Sequence, residues 1–200
     1  MTLAEELLLL TLSPQQPRNT RAHPGLRAAV CGANLFDLWL AGAPVPADLR
    51  RYIRKHNHGS LEPALAPLAA ARRIVTAAPQ GAGALLGLAG ARAETLADVT
   101  AGTAIRGRLR AALAEAAVPP PRDAALAVLL YAGRLWNWSG LEERSTEDVR
   151  VLGRRQRAVT LLKRQAEALA DGSLVPDHAE PAVLVAMAGA IDHEYVHYGD

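Results

Sequence analysis

Two hundred residues, half of them hydrophobic, are enough to bury a core as one domain, and the chain is too apolar to be disordered. The formal charge is only +2 although the pI is near 9.0, which argues against a general nucleic-acid binder and confines anion binding to local patches. Ala and Leu make up much of the hydrophobic half and there is a single Phe, so an all-α fold is expected over residues 1–200. Nearly all the cationic residues are arginine, Lys55 and Lys163 being the exceptions. The planar guanidinium fork suits phosphate better than a lysine ammonium does. Cys31 is the only cysteine, which excludes an intramolecular disulfide and reads as a small core residue.

Thr2 and Glu5 have the spacing of a capping box ahead of a helix over Leu3 to Leu12. Its run Leu7-Leu8-Leu9-Leu10 is apolar on every face, as in a buried helix. A loop with Pro14, Pro17 and Pro24 leads to a second, largely buried helix over Gly25 to Ala41, lined by Leu26, Val30, Ala33 and Leu40 and ended by Gly42. Asp37 within it needs a partner, and a structural hydrogen bond to a helix end is the expectation. Pro46 to His56 forms a short amphipathic helix with Arg50, Arg51, Arg54 and Lys55 on one face and Leu49, Tyr52, Ile53 and His56 on the other. Asn57-His58-Gly59 ends it, and Ser60 is expected to cap a helix striped by Leu61, Leu65 and Leu68.

Arg73 to Thr76 and Ala84 to Leu88 flank a Pro/Gly turn, which suggests a β-hairpin. Leu85, Leu86 and Leu88 are too continuous for a solvated arm, so the hairpin is expected to pack on its own body or on a second copy. Thr103 is expected to cap a helix to Ala117 with Ile105, Leu109 and Leu113 inward and Arg106, Arg108 and Arg110 mostly outward. After the break at Pro119-Pro120-Pro121, an apolar central helix covers Arg122 to Leu135. Trp136 and Trp138 follow in a loop and are expected to pack beneath it; longer helices are expected from about Ser145 to Ala170 and from Pro181 to Tyr195.

The opening Thr2-Leu3-Ala4-Glu5-Glu6-Leu7-Leu8-Leu9-Leu10 resembles the Leu-x-Glu-Glu-Leu-Leu-Leu-Leu motif of the Golgi phosphoprotein 3 family. Leu35 to Gly42 is similar to that family's Leu-x-Glu-Leu-Ala-Leu-Arg-Gly segment, and Ala125 to Ala132 to its apolar central helix. The Ala/Arg-rich composition is that of a bacterial member. The resemblance implies a non-enzymatic helical bundle with one small hairpin. It also implies peripheral membrane attachment from the cytoplasm through phosphatidylinositol 4-phosphate, partners among the cytosolic tails of membrane proteins, and self-association through the hairpin. The positions of the eukaryotic family's pocket Trp and Arg are Ala22 and Cys31 here, and two further pocket arginines fall near His58 and Leu61. The resemblance therefore implies an anionic, phosphoinositide-like lipid and does not name the headgroup.

The residues expected to meet the lipid are Arg50, Arg51, Arg54 and Lys55, with Arg27 one helical turn before Cys31 and His58 beside the cationic helix. No cofactor, metal or nucleic-acid partner is expected. No run reaches the roughly 18 apolar residues that span a bilayer, and the start lacks the basic region of a signal peptide, so the cytosol is the expected compartment. Two other readings stay open. His193-Glu194-Tyr195-Val196-His197 matches H-E-x-x-H, the pattern of a metal-dependent hydrolase, although no downstream third ligand follows it. The other is a protein-interaction module that has lost lipid binding. Gly81 to Gly87 has one residue too many for a dinucleotide-binding turn and reads as a flexible hairpin turn.

Overall fold

The computed structural model describes residues 1–77, 93–114, 119–141, 168 and 186–192. Within them the fold is helical with one small antiparallel hairpin, as the composition predicts. Helix α1 (Leu3–Thr11) starts at the capping box: the Thr2 hydroxyl accepts the Glu5 N–H at 3.2 Å and the Glu5 carboxylate accepts the Thr2 N–H at 3.0 Å. Leu3, Leu7, Leu8, Leu9 and Leu10 are all completely buried, so α1 is packed on every side. Four helices surround it: α2 (Pro24–Leu40), α4 (Leu61–Ala70), α5 (Val99–Ala114) and α6 (Pro121–Ala132). Helix α3 (Leu49–His56) lies outside this group, against α2.

Helix α2 begins with Pro24 in its first turn, where a missing N–H costs nothing, and His23 caps it by accepting the Leu26 N–H on Nδ1 at 3.1 Å. It runs back along α1, so that Asp37 accepts the Leu3 N–H at 2.8 Å. The expected structural bond from Asp37 to a helix end is therefore present. Helices α2 and α6 pack closely because their contact is made by small residues. A Cβ at Gly133, just past α6, would lie 2.9 Å from the Leu129 carbonyl and 3.0 Å from both the Ala29 Cβ and the Gly25 carbonyl. A Cβ at Gly32 would fall 2.8 Å from Ile191, in the helical segment 186–192.

Strands β1 (Ile74–Ala77) and β2 (Ala93–Leu96) pair antiparallel with Ile74 opposite Leu96 and Ala77 opposite Ala93. The far edge of β2 is held by the loop after α1: Arg18 and Glu94 exchange backbone hydrogen bonds at 3.0 and 2.9 Å, and the Leu96 N–H reaches the Ser13 carbonyl at 3.2 Å. The base of the hairpin is thus pinned to the body.

Several local expectations are corrected. The described partner of β1 is Ala93–Leu96, whereas Ala84–Leu88 lies outside the described residues. Glu94 makes this strand possible although it looks wrong for one: its buried carboxylate is taken up by the Thr20 hydroxyl at 2.7 Å and by Arg21. Helix α5 is capped by Asp98, which accepts the Ala101 N–H at 2.9 Å, and Thr103 sits inside it. Ser60 makes no cap; its hydroxyl donates to the carbonyls of Arg27 and Asn57. Helix α6 ends at Ala132 rather than Leu135, and a 3-10 turn at Trp136–Trp138 follows. Leu40 is 37% exposed rather than inward. His56 is exposed too, stacked on Tyr52 with ring centroids 4.1 Å apart. Trp136 is buried and Trp138 half-buried, both packed as expected. The end of the Thr103–Ala117 helix, nearly all of the Ser145–Ala170 helix, both ends of the Pro181–Tyr195 helix, the Gly81–Gly87 turn, Leu85, Leu86 and Leu88, and the His193–His197 motif lie outside the described residues.

The glycine contacts give a paired test. Gly133→Ala should overpack the α2–α6 contact and destabilise by about 1–3 kcal/mol. Gly107→Ala should stabilise by about 0.5–1 kcal/mol, because Gly107 is exposed in mid-helix with no atom within 4 Å of the added Cβ. Urea denaturation midpoints of the two variants, measured against the parent chain, check both signs.

Candidate functional site

Helix α3 is held by its apolar face and presents its basic one. Asp48 caps it by accepting the Arg51 N–H at 2.9 Å. Ile53 is completely buried, and Leu49 and Tyr52 pack half-buried against the core. That seating turns Arg50, Arg51, Arg54 and Lys55 to solvent. Arg54 and Lys55 lie in the last turn, where positive charge meets the negative end of the helix dipole. His58 is exposed in the 3-10 turn Asn57–Gly59 that follows.

Arg27 stands elsewhere. It is half-buried on α2, with Nη1 donating to the Arg21 carbonyl at 3.3 Å, while its own carbonyl accepts the Ser60 hydroxyl at 3.0 Å. It therefore lies under the corner between α3 and α4, and the structure brings together five of the six expected residues. Of the positions that the family resemblance points to, Cys31 and Leu61 are buried and Ala22 and His58 are exposed.

The cationic face differs from the ion-paired arginines of the molecule in meeting no carboxylate among the described residues. Arg108 meets Glu6 at 2.6 Å and Asp123 at 2.8 Å; Arg122 meets Glu6 at 3.3 Å and Asp37 at 3.4 Å. Arg21 bridges Glu62 and Glu94, Arg73 lies 3.9 Å from Asp98, and Arg134 lies 3.3 Å from Asp192. These pairs neutralise carboxylates buried on α1, β2 and α6. Burial pushes the Asp37 carboxyl up, against the pull of the Leu3 N–H and Arg122. Among the described residues none of Arg50, Arg51, Arg54 and Lys55 lies within ion-pair distance of a carboxylate, and no group of three or more His, Cys, Asp or Glu could hold a metal.

The sequence reading missed Arg18 and misplaced Arg106. Both turn in toward the C-terminal end of α1 and line a cleft with Trp138. One signal was available. Helix α1 ends at Thr11, with Leu12 as its C-cap, no basic residue in its last turn and no glycine after it, so its last carbonyls had to find donors elsewhere.

His23 packs edge-on to Trp138 with ring centroids 4.5 Å apart. Burial, more than the nearby Arg18 and Arg27, lowers its pKa. Its Nδ1 is occupied as the cap acceptor of α2, so the proton of the neutral ring sits on Nε2, and a second proton would displace the cap. A lowered folded-state pKa means that the stabilisation is complete above the unfolded value of about 6.5 and is lost as pH falls through it. Stability should therefore decline between pH 7 and pH 5 more steeply in the parent chain than in His23→Asn, which keeps a capping side chain without a titrating ring. Equal slopes in urea titrations across that range would contradict the assignment.

Comparison of the chain with protein-family models, with curated proteins and with solved structures gave no match in any of the three.

Proposed function

We propose that the protein is a peripheral membrane adaptor that binds anionic phospholipid through the cationic face of α3 and engages protein partners without catalysis. The observation that carries this reading is the cluster of Arg50, Arg51, Arg54 and Lys55, exposed on a helix whose other face is anchored by Ile53, with no carboxylate partner among the described residues. A rigidly seated basic face approaches an anionic surface without first breaking internal ion pairs. Each such residue near an anionic leaflet contributes about 1 kcal/mol, so the four together supply several kcal/mol at low salt. Among the described residues no helix is long and apolar enough to cross a membrane, and attachment here needs none. The resemblance of the opening motif and the central helix to the Golgi phosphoprotein 3 family supports the same reading. So does the arrangement of helices around a buried first helix with a small hairpin. On that resemblance the partners are cytosolic tails of membrane proteins and a second copy of the chain, the headgroup is phosphoinositide-like, and the setting is the cytoplasmic face of a membrane.

Liposome sedimentation tests this directly. The protein should pellet with vesicles containing phosphatidylserine or a phosphoinositide and not with pure phosphatidylcholine. Exposed charges are screened within about 8 Å at physiological salt, so added salt should weaken the association steeply. Arg50→Glu/Arg51→Glu/Arg54→Glu should abolish pelleting while leaving the helical circular dichroism and the melting temperature nearly unchanged, because all three side chains are exposed and none makes an ion pair among the described residues. Undiminished pelleting of the triple variant would reject the α3 surface as the membrane contact.

A further inference from the structure

We propose that the last turn of α2 and the apolar loop that follows it insert into the interface of an anionic bilayer, beside the basic face of α3. The inference rests on the membrane reading above and adds to it a second, uncharged contact. Over residues 38–47 no side chain is charged, and the only polar side-chain atom is the Trp39 indole nitrogen. None of these residues is buried: Leu38 is 42% and Leu40 37% exposed, and Ala41, Gly42, Pro44 and Ala47 are exposed as well. A continuous apolar stretch at the surface marks an interaction site, whereas a lone exposed leucine needs no explanation. The stretch is particular to this chain: the family segment that residues 35–42 resemble carries Ala and Arg at the positions of Trp39 and Ala41.

The backbone here is suited to a medium short of water. The Ala41 N–H reaches the Asp37 carbonyl at 3.1 Å, the Gly42 N–H the Trp39 carbonyl at 2.9 Å and the Ala43 N–H the Leu38 carbonyl at 2.9 Å. Helix α2 thus closes in a Schellman turn, with Gly42 at φ +71°. Pro44 and Pro46 have no N–H to satisfy. Over residues 41–47 only Val45 and Ala47 keep an N–H without an acceptor among the described residues. An unpaired donor taken out of water is penalised, so having few of them keeps the barrier to entry low. Trp39 roots the turn: it is half-buried against the core, its ring edge-on to Phe36 with centroids 6.1 Å apart. Past that root, a Cβ on Gly42 would meet no atom within 4 Å, so the turn stands clear of the body.

The charges on either side select the occupant. Both carboxylates that bound the stretch are engaged: Asp37 accepts the Leu3 N–H at 2.8 Å and meets Arg122, and Asp48 accepts the Arg51 N–H at 2.9 Å. The basic face begins at Arg50, three positions after Ala47, a span of no more than about 11 Å. Amphipathic elements at a membrane sink their apolar groups roughly 5–10 Å into the boundary of headgroups and acyl chains and leave their basic groups on the polar side. The distance from the loop to the basic face is of that size. An anionic bilayer layers negative and apolar groups in the matching order. Charge attracts the protein to such a surface but is screened by salt. A single weak signal gives only marginal attachment, and an apolar insertion beside a basic patch supplies two.

Partitioning onto phosphatidylcholine vesicles with and without phosphatidylserine, read by sedimentation over a range of lipid concentrations, is compared for the parent chain, Leu38→Gln/Leu40→Gln and the α3 reversal variant. Glutamine keeps the helix propensity of leucine and all four basic residues stay in place. The leucine variant should therefore keep its melting temperature and bind the phosphatidylserine vesicles at least about tenfold more weakly. An environment-sensitive dye on Ala41→Cys, Cys31 being buried, reads insertion without the leucine variant. On phosphatidylserine vesicles its emission should shift to the blue and be quenched by spin labels on the acyl chains. Equal partitioning of the leucine variant, or a dye that stays in water while the protein pellets, overturns the proposal and leaves the α3 reading standing. Weakened binding of the leucine variant with full pelleting of the α3 reversal rejects the α3 surface and keeps the loop. A parent chain that pellets with neither kind of vesicle overturns both. A parent dimer in sedimentation velocity that the leucine variant turns into a monomer, with no response of the dye to vesicles, assigns the stretch to a second copy and overturns the insertion.

Discussion

Everything in this fold follows from a helix that has no outside. Helix α1 buries all of its leucines completely, so it needs neighbours all round, and α2, α4, α5 and α6 are arranged to supply them. Burying one leucine contributes about 1.5–3 kcal/mol, which makes α1 the densest source of stability among the elements. The exception on α1 is Glu6, 3% exposed, a carboxylate that cannot stay buried unpaired. Arg108 from α5 and Arg122 from α6 converge on it, and through Asp123 and Asp37 the same two arginines tie α5, α6 and α2 together. The apolar faces of α1 set how many helices surround it, and its one buried charge sets which residues those helices bring.

The arginines divide by what they face. One group answers buried carboxylates at Glu6, Asp123 and Glu94. A second, Arg18 and Arg106, answers carbonyls at the end of α1 and is left with positive charge to spare. A third, on α3, is exposed and meets no carboxylate among the described residues. A chain with a net charge of +2 thereby carries two separate concentrations of positive potential. Net charge hides this division, because it sums cations and carboxylates over the whole chain without regard to which of them meet.

What could be read in the sequence was whatever local spacing determines. The capping box at Thr2 and Glu5, the all-round apolar character of α1, the stripe Ile105, Leu109 and Leu113, and the segregation of α3 into a basic and an apolar face were all visible as periodicities. What escaped was decided by partners distant in sequence. Ser60 fails as a cap because the Arg27 carbonyl, 33 positions away, takes its hydroxyl. Glu94 is buried within Ala93–Leu96 by Thr20 and Arg21, 74 and 73 positions away, which nothing local announces. Asp98, which accepts the Ala101 N–H, starts the helix a turn before Thr103, near which the apolar stripe begins. The cleft draws on residues 18, 106 and 138, which no spacing rule connects.

The central position of α1 also bears on how the chain is made. It leaves the ribosome before any of its four neighbours, and α6 is not complete until Ala132. At roughly 5–20 residues per second, synthesis of the intervening stretch takes on the order of ten seconds, far longer than hydrophobic collapse. Through that interval Leu7, Leu8, Leu9 and Leu10 have only α2 and later α4 to cover them, and Glu6 has neither of its arginines. The segment that contributes most to the finished core is therefore the one most exposed to misassociation during translation, and a nascent chain stalled before α5 is a natural client for holding chaperones.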